Sequence, residues 1–143
     1  MVWKMGVRVN LVIIFSLVLI SCSGVVESAK TTNKETMKLM VLSNYGAEET
    51  VISDSTSADQ IKKTIEGLDW SDFHQVVLIR DNSNWIEVGG DLSDSGLSAI
   101  YEENGEQFVT RVPPNSVDQM TKILVSYFNG DGKYLKQYKF DER

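Results

Sequence analysis

The sequence contains one cysteine, Cys22, one histidine, His74, and two prolines, which stand together as Pro113-Pro114. A lone cysteine excludes any intramolecular disulfide, so the folded part must be held by its own apolar core. One histidine with one cysteine supplies too few soft ligands for a zinc centre, which takes three or four. Beside Phe73 at the head of an apolar run, His74 reads as a surface or packing residue. No Gly-x-Ser-x-Gly elbow and no Gly-x-Gly-x-x-Gly loop occurs, so a Ser-His-Asp arrangement would lack a device to position its nucleophile. Positive charge is scarce: 14 Lys and Arg stand against 20 Asp and Glu, a net charge of −6. That balance, with no basic cluster, argues against nucleic acid and for cationic partners, although acidic charge also serves solubility.

What is present begins with an address. Lys4 and Arg8 lie in the first ten residues without an acidic neighbour, and Leu11 to Ile20 is apolar apart from Ser16. The run is shorter than the about 20 residues a membrane-spanning helix needs. Charge, a short apolar core and small residues at a cleavage point form the layout of an export signal. The ending Leu19-Ile20-Ser21-Cys22 resembles the lipobox of bacterial lipoproteins. That resemblance implies acylation of Cys22, cleavage before it, and a membrane held only through the lipid. The expected plan is a signal peptide over 1–21, a flexible tether over 22–37 and one domain over 38–143. Losing Lys4 and Arg8 from the 14 basic residues leaves 12 against 20 acidic ones, a net of −8.

Within the domain, Met37 to Leu42 has strand length and ends in the turn residues Asn44-Tyr45-Gly46, with a second short strand near Thr50 to Ile52. Ser57 and Gln60 have capping-box spacing, Ile61, Ile65 and Leu68 follow at helical spacing, and Gly67 marks the exit. Strands are then expected over 75–80, 85–88, 97–103 and 107–112. Asn104-Gly105 is a type I′ hairpin signal, because both central residues of that turn need positive φ. It sets Glu103 opposite Glu106, Tyr101 opposite Phe108, Ala99 opposite Thr110 and Leu97 opposite Val112. Pro113-Pro114 stops the sheet, since proline cannot donate to a ladder. Ser116 and Gln119 repeat the capping spacing, and Met120, Ile123, Leu124, Tyr127 and Phe128 form an amphipathic stripe. A polar tail with Tyr134, Leu135, Tyr138 and Phe140 closes the chain. The expected class is α+β: an antiparallel β-meander with two amphipathic helices packed mainly on one face.

The acidic loops 81–84 and 91–96 offer oxygen atoms. They lack the alternating acids and distal Glu of a calcium loop, so turn chemistry explains them and no metal or cofactor is expected. The segment with most to say is Trp85-Ile86-Glu87-Val88-Gly89-Gly90. Strand alternation places Trp85, Glu87 and Gly89 on the face opposite Ile86 and Val88. Trp85 is then either an interface anchor beside a carboxylate, or a packing residue under the tail with Gly89 and Gly90 making a bulge.

Trp-x-Glu-x-Gly on a strand of a small acidic α+β domain resembles the immunity proteins of bacterial polymorphic toxin systems. The likeness spans roughly Ile61 to Phe128, its specific part being Trp85 to Gly90. It implies a protein that blocks a cognate toxin by binding, with Trp85, Glu87 and Gly89 at the motif positions. Glu102 joins them by alternation on the neighbouring strand. A lipoprotein signal departs from the usual cytosolic members. The expected function is a non-enzymatic lipoprotein of the bacterial envelope that binds and neutralises a cationic toxin. An accessory envelope lipoprotein binding another envelope component is the second reading, and a small carboxylate-dependent hydrolase is the third.

Overall fold

The computed structural model describes residues 36–93 and 96–143. The expected signal segment, Cys22 and all but the last two residues of the expected tether lie outside them, as do Asp94 and Ser95. The described chain runs β1 (Lys38–Ser43), a 3₁₀ turn (Asn44–Gly46), β2 (Glu48–Ser53), α1 (Ala58–Glu66), β3 (His74–Asp81), β4 (Asn84–Asp91), β5 (Gly96–Glu103), β6 (Glu106–Thr110), α2 (Val117–Asn129), α3 (Lys133–Gln137) and β7 (Phe140–Glu142). The fold is α+β, with seven strands in one antiparallel sheet ordered β2-β1-β3-β4-β5-β6-β7. There are three helices among the described residues rather than the two expected. The tail accounts for the third, and it also adds the edge strand β7.

Local signals govern the helix starts. Ser57 Oγ accepts from Gln60 N at 3.2 Å and Ser116 Oγ from Gln119 N at 3.3 Å, each satisfying an amide that the helix leaves orphaned. The glutamine side chains do not complete the box. Gln60 Oε1 accepts from Thr56 Oγ1 and Gln119 Oε1 from Asn115 N, one residue before each cap. Gly130 ends α2 at φ 65°, a left-handed cap that glycine adopts without a Cβ penalty. Asp131 then binds the end of α2 to the start of α3: its Oδ1 accepts from Ser126 Oγ and from Lys133 N.

The core forms where the two periodicities meet. Leu39, Val41, Val76, Leu78, Ile86, Val88, Leu97, Ala99 and Tyr101 alternate along β1, β3, β4 and β5, and all are buried. They cluster with Ile61 and Ile65 of α1, with the five stripe residues of α2, and with Tyr134 of α3. The intervening strand residues, such as Met40, Val77, Glu87 and Ile100, lie on the other face of the sheet and outside this cluster.

The hairpin at Asn104-Gly105 has φ of 55° and 87° at its two central residues, as a type I′ turn requires. Glu103 pairs with Glu106 and Tyr101 with Phe108, whose rings stack with centroids 4.8 Å apart. Further from the turn the expected pairing ends early, without a shift of register. The ladder stops at Ile100–Val109, and Thr110 reaches Ala99 only through its hydroxyl. Val112 is 71% exposed and does not face Leu97. Pro113 and Pro114 lack amide donors, so the strand ends before Val112. On the other edge of β6, where β7 pairs, Arg111 N donates to Lys139 O. The loop expected over 81–84 also shrinks, since Asp81 pairs with Asn84 and only Asn82 and Ser83 turn. Asp81 Oδ1 accepts from Ser83 N, the local bond that makes aspartate a turn former.

Candidate functional site

Strand register assembles the residues singled out by the motif. β4 lies between β3 and β5, so each of its side chains has a partner on both sides. Trp85 pairs with Ile79 on β3 and with Glu102 on β5, and all three are half-buried. Gln107 pairs with Glu102 on its far side and donates Nε2 to Glu102 Oε2 at 3.0 Å. The row Ile79–Trp85–Glu102–Gln107 therefore puts the indole beside a carboxylate whose position another side chain holds.

The adjacent row crosses all seven strands: Val51, Met40, Val77, Glu87, Ile100, Val109 and Asp141. Its apolar members surround Glu87. Burial is the largest influence on that carboxyl and pushes its pKa up. A hydrogen bond from Gln75 Nε2 to Glu87 Oε1, 2.7 Å long, and the charge of Arg143 oppose the rise. Met40 and Val77 are buried by their neighbours although they lie outside the main core cluster.

Gly89 does not form a bulge with Gly90. β4 stays in register through both, with Gly89 between Gln75 and Ser98, and continues to Asp91. The reason for glycine at 89 is close approach. A Cβ there would stand 2.8 Å from Gln75 Cγ and 2.9 Å from the His74 carbonyl oxygen. The missing side chain gives Gln75 the space to lean across β4 toward Glu87. At Gly90, φ is 121° and a Cβ would meet the Gly96 carbonyl oxygen, so this position also takes only glycine.

Trp85, Glu87, Gly89 and Glu102 thus occupy one face of the sheet, as alternation implies, together with residues the motif did not mark. Gln75, Met40, Val77, Ile79, Ile100 and Gln107 complete the patch. The alternating pattern of β3 and β5 was the available signal for them, but it needed the pairing partners to place them around Trp85. Chemically, the face offers an indole, a ring of branched and unbranched aliphatic groups, and two carboxylates each bonded to a glutamine.

His74 sits elsewhere, with its Nδ1 and Ser43 Oγ hydrogen-bonded at 2.9 Å and its ring edge-on to Trp70. Among the described residues no three His, Cys, Asp or Glu side chains gather as a metal site. No helix among them is long and apolar enough to cross a membrane. No protein-family model, no curated protein and no solved structure matches the chain.

Proposed function

We propose that the protein is a non-enzymatic lipoprotein of a bacterial envelope, held through a lipid on Cys22, that binds and neutralises a toxin. In this reading the three helices cover one face of the sheet and the Trp85 face meets the partner. The observation that carries it is Trp85 itself: a half-buried indole set among aliphatic groups, with Glu102 directly across the ladder. Large aromatic side chains with a desolvated surround are the usual centres of binding energy. Carboxylates around such a centre steer a cationic partner and raise association rate more than final affinity. The excess of acidic residues acts in the same direction at longer range.

The test is binding kinetics at two ionic strengths against the product of a neighbouring secreted-toxin gene. Trp85→Ala should weaken binding by about 2 kcal/mol or more while the fold persists. Glu102→Gln should mainly slow association and flatten its salt dependence. A folded Trp85→Ala protein that binds with unchanged affinity removes this face from consideration. Anchoring is tested separately: Cys22→Ala should release the protein from the membrane fraction, and unchanged fractionation with unchanged mass would refute lipidation.

A further inference from the structure

The loop joining β1 to β2 holds three successive residues in left-handed conformation: Asn44 at φ 51°, Tyr45 at φ 55° and Gly46 at φ 85°. Asn and Gly adopt that region readily, whereas a bulky side chain does so only where its surroundings impose it. Tyr45 is nevertheless 76% exposed, so core packing does not impose it. It stacks on Phe73, with centroids 4.5 Å apart and planes 16° from parallel. The two rings line a depression of about 450 Å³ with Ser43, His74, Glu48 and Asp72. Ser43 and His74 already share their polar groups with each other. That leaves aromatic faces, the Asn44 amide and two exposed carboxylates as the recognition chemistry.

We propose that this depression is a second contact site, which takes an arginine side chain of a protein partner. A guanidinium lies flat against an aromatic face, attracted by the ring quadrupole, while its edge donates to carboxylates. Tyr45 offers the face, Phe73 backs it, and Glu48 and Asp72 supply the charge. A tight turn with Gly or Asn at position 45 would satisfy the hairpin without strain, so the tyrosine is accounted for by what it presents. The site is separate from the Trp85 face. Ser43 pairs with both Glu48 and His74, and that row continues through Gly90 to Leu97, whereas Trp85 pairs with Ile79 near the opposite end of β3. Alternation also turns Ser43 and His74 toward the side of the sheet opposite Trp85.

The experiment titrates the full ¹⁵N-labelled chain with N-acetyl-arginine amide and, at equal ionic strength, with the uncharged isostere N-acetyl-citrulline amide. Saturable shifts confined to residues 43–48 and 72–74, seen with the arginine probe alone, are expected. Tyr45→Gly keeps a backbone suited to positive φ and removes only the ring, so it should weaken the arginine probe about two- to five-fold without unfolding the protein. Glu48→Gln should weaken it by a similar factor. Equal shifts with citrulline, shifts spread over all acidic residues, shifts centred on Trp85 and Glu102, or a Tyr45→Gly protein with unchanged affinity would each overturn the proposal. A failure here leaves the Trp85 reading standing, because the two sites are mapped by different resonances.

Discussion

Gln75 donates a hydrogen bond to Glu87 across the place where a side chain at position 89 would stand. The two residues are diagonal neighbours on β3 and β4, a separation that a long side chain can span if nothing intervenes. Glycine at 89 is what keeps the path clear. The Glu and Gly of the Trp-x-Glu-x-Gly segment are therefore coupled through a third residue on another strand, and substitutions at any of the three bear on the carboxylate at the centre of the apolar row.

Gly89→Ala is expected to cost about 1–3 kcal/mol of stability, the range for forcing extra volume into a packed site. The new methyl would press on Gln75 Cγ, which can rotate away, and on the His74 carbonyl oxygen, which cannot move without bending β3. Adding Gln75→Ala should for that reason recover only part of the loss. Urea denaturation of the single and double variants measures both.

The raised pKa of Glu87 makes stability depend on pH in a definite direction. The unfolded chain ionises near the ordinary value of 4.5, and the folded one only at higher pH. Between those two values the unfolded state holds fewer protons, so stability falls as pH rises, and it levels off above the folded value. Glu87→Gln, which keeps a carbonyl oxygen to accept from Gln75, should match or exceed the parent protein near pH 7. The two should converge below about pH 4.5. Thermal melts across this range check it, and a Gln variant markedly less stable at neutral pH would contradict the assignment.

Asp131 should act in the opposite sense. The hydroxyl of Ser126, then the side chain and backbone amide of Lys133, hold its pKa down to about 2 from 3.8. Its contribution is present above 3.8 and disappears as pH falls through about 2. Asp131→Asn should be less stable than the parent at neutral pH, with the gap closing across that interval. The Lys133 part of the gap should shrink in high salt, because that ion pair lies at the surface. Chemical denaturation at stepped pH resolves it.

Gly105→Val should cost about 1–2 kcal/mol through the backbone alone. No atom lies within 4 Å of a Cβ built at Gly105, so crowding adds nothing to the penalty of holding a β-branched residue at φ 87°. Gly105→Asn should recover much of it, since Asn tolerates the left-handed region. Equal stability of the Val variant and the parent would show that the turn relaxes to another type.

The sequence by itself determined the parts whose partners lie within a few residues. Ser57 with Gln60 and Ser116 with Gln119 start the helices, Asn104-Gly105 makes its turn, and Met120 to Phe128 lay down one buried stripe. Each follows from a local hydrogen bond, a local φ or a local period, which no distant contact has to supply. Strand alternation likewise set Trp85 and Glu87 apart from Ile86 and Val88. Tertiary structure alone decided the neighbours. Met40 comes beside Val77 because α1 returns the chain to the free side of β1, and Trp85 comes beside Glu102 because β5 folds back on β4. Val112 shows the limit most plainly: the period of its strand placed it inside, yet the ladder with β5 ends at Ile100–Val109 and Val112 lies in solvent. Alternation says which side of a strand a residue takes, but only the pairing of strands far apart in the chain says where the strand ends and what each side chain touches.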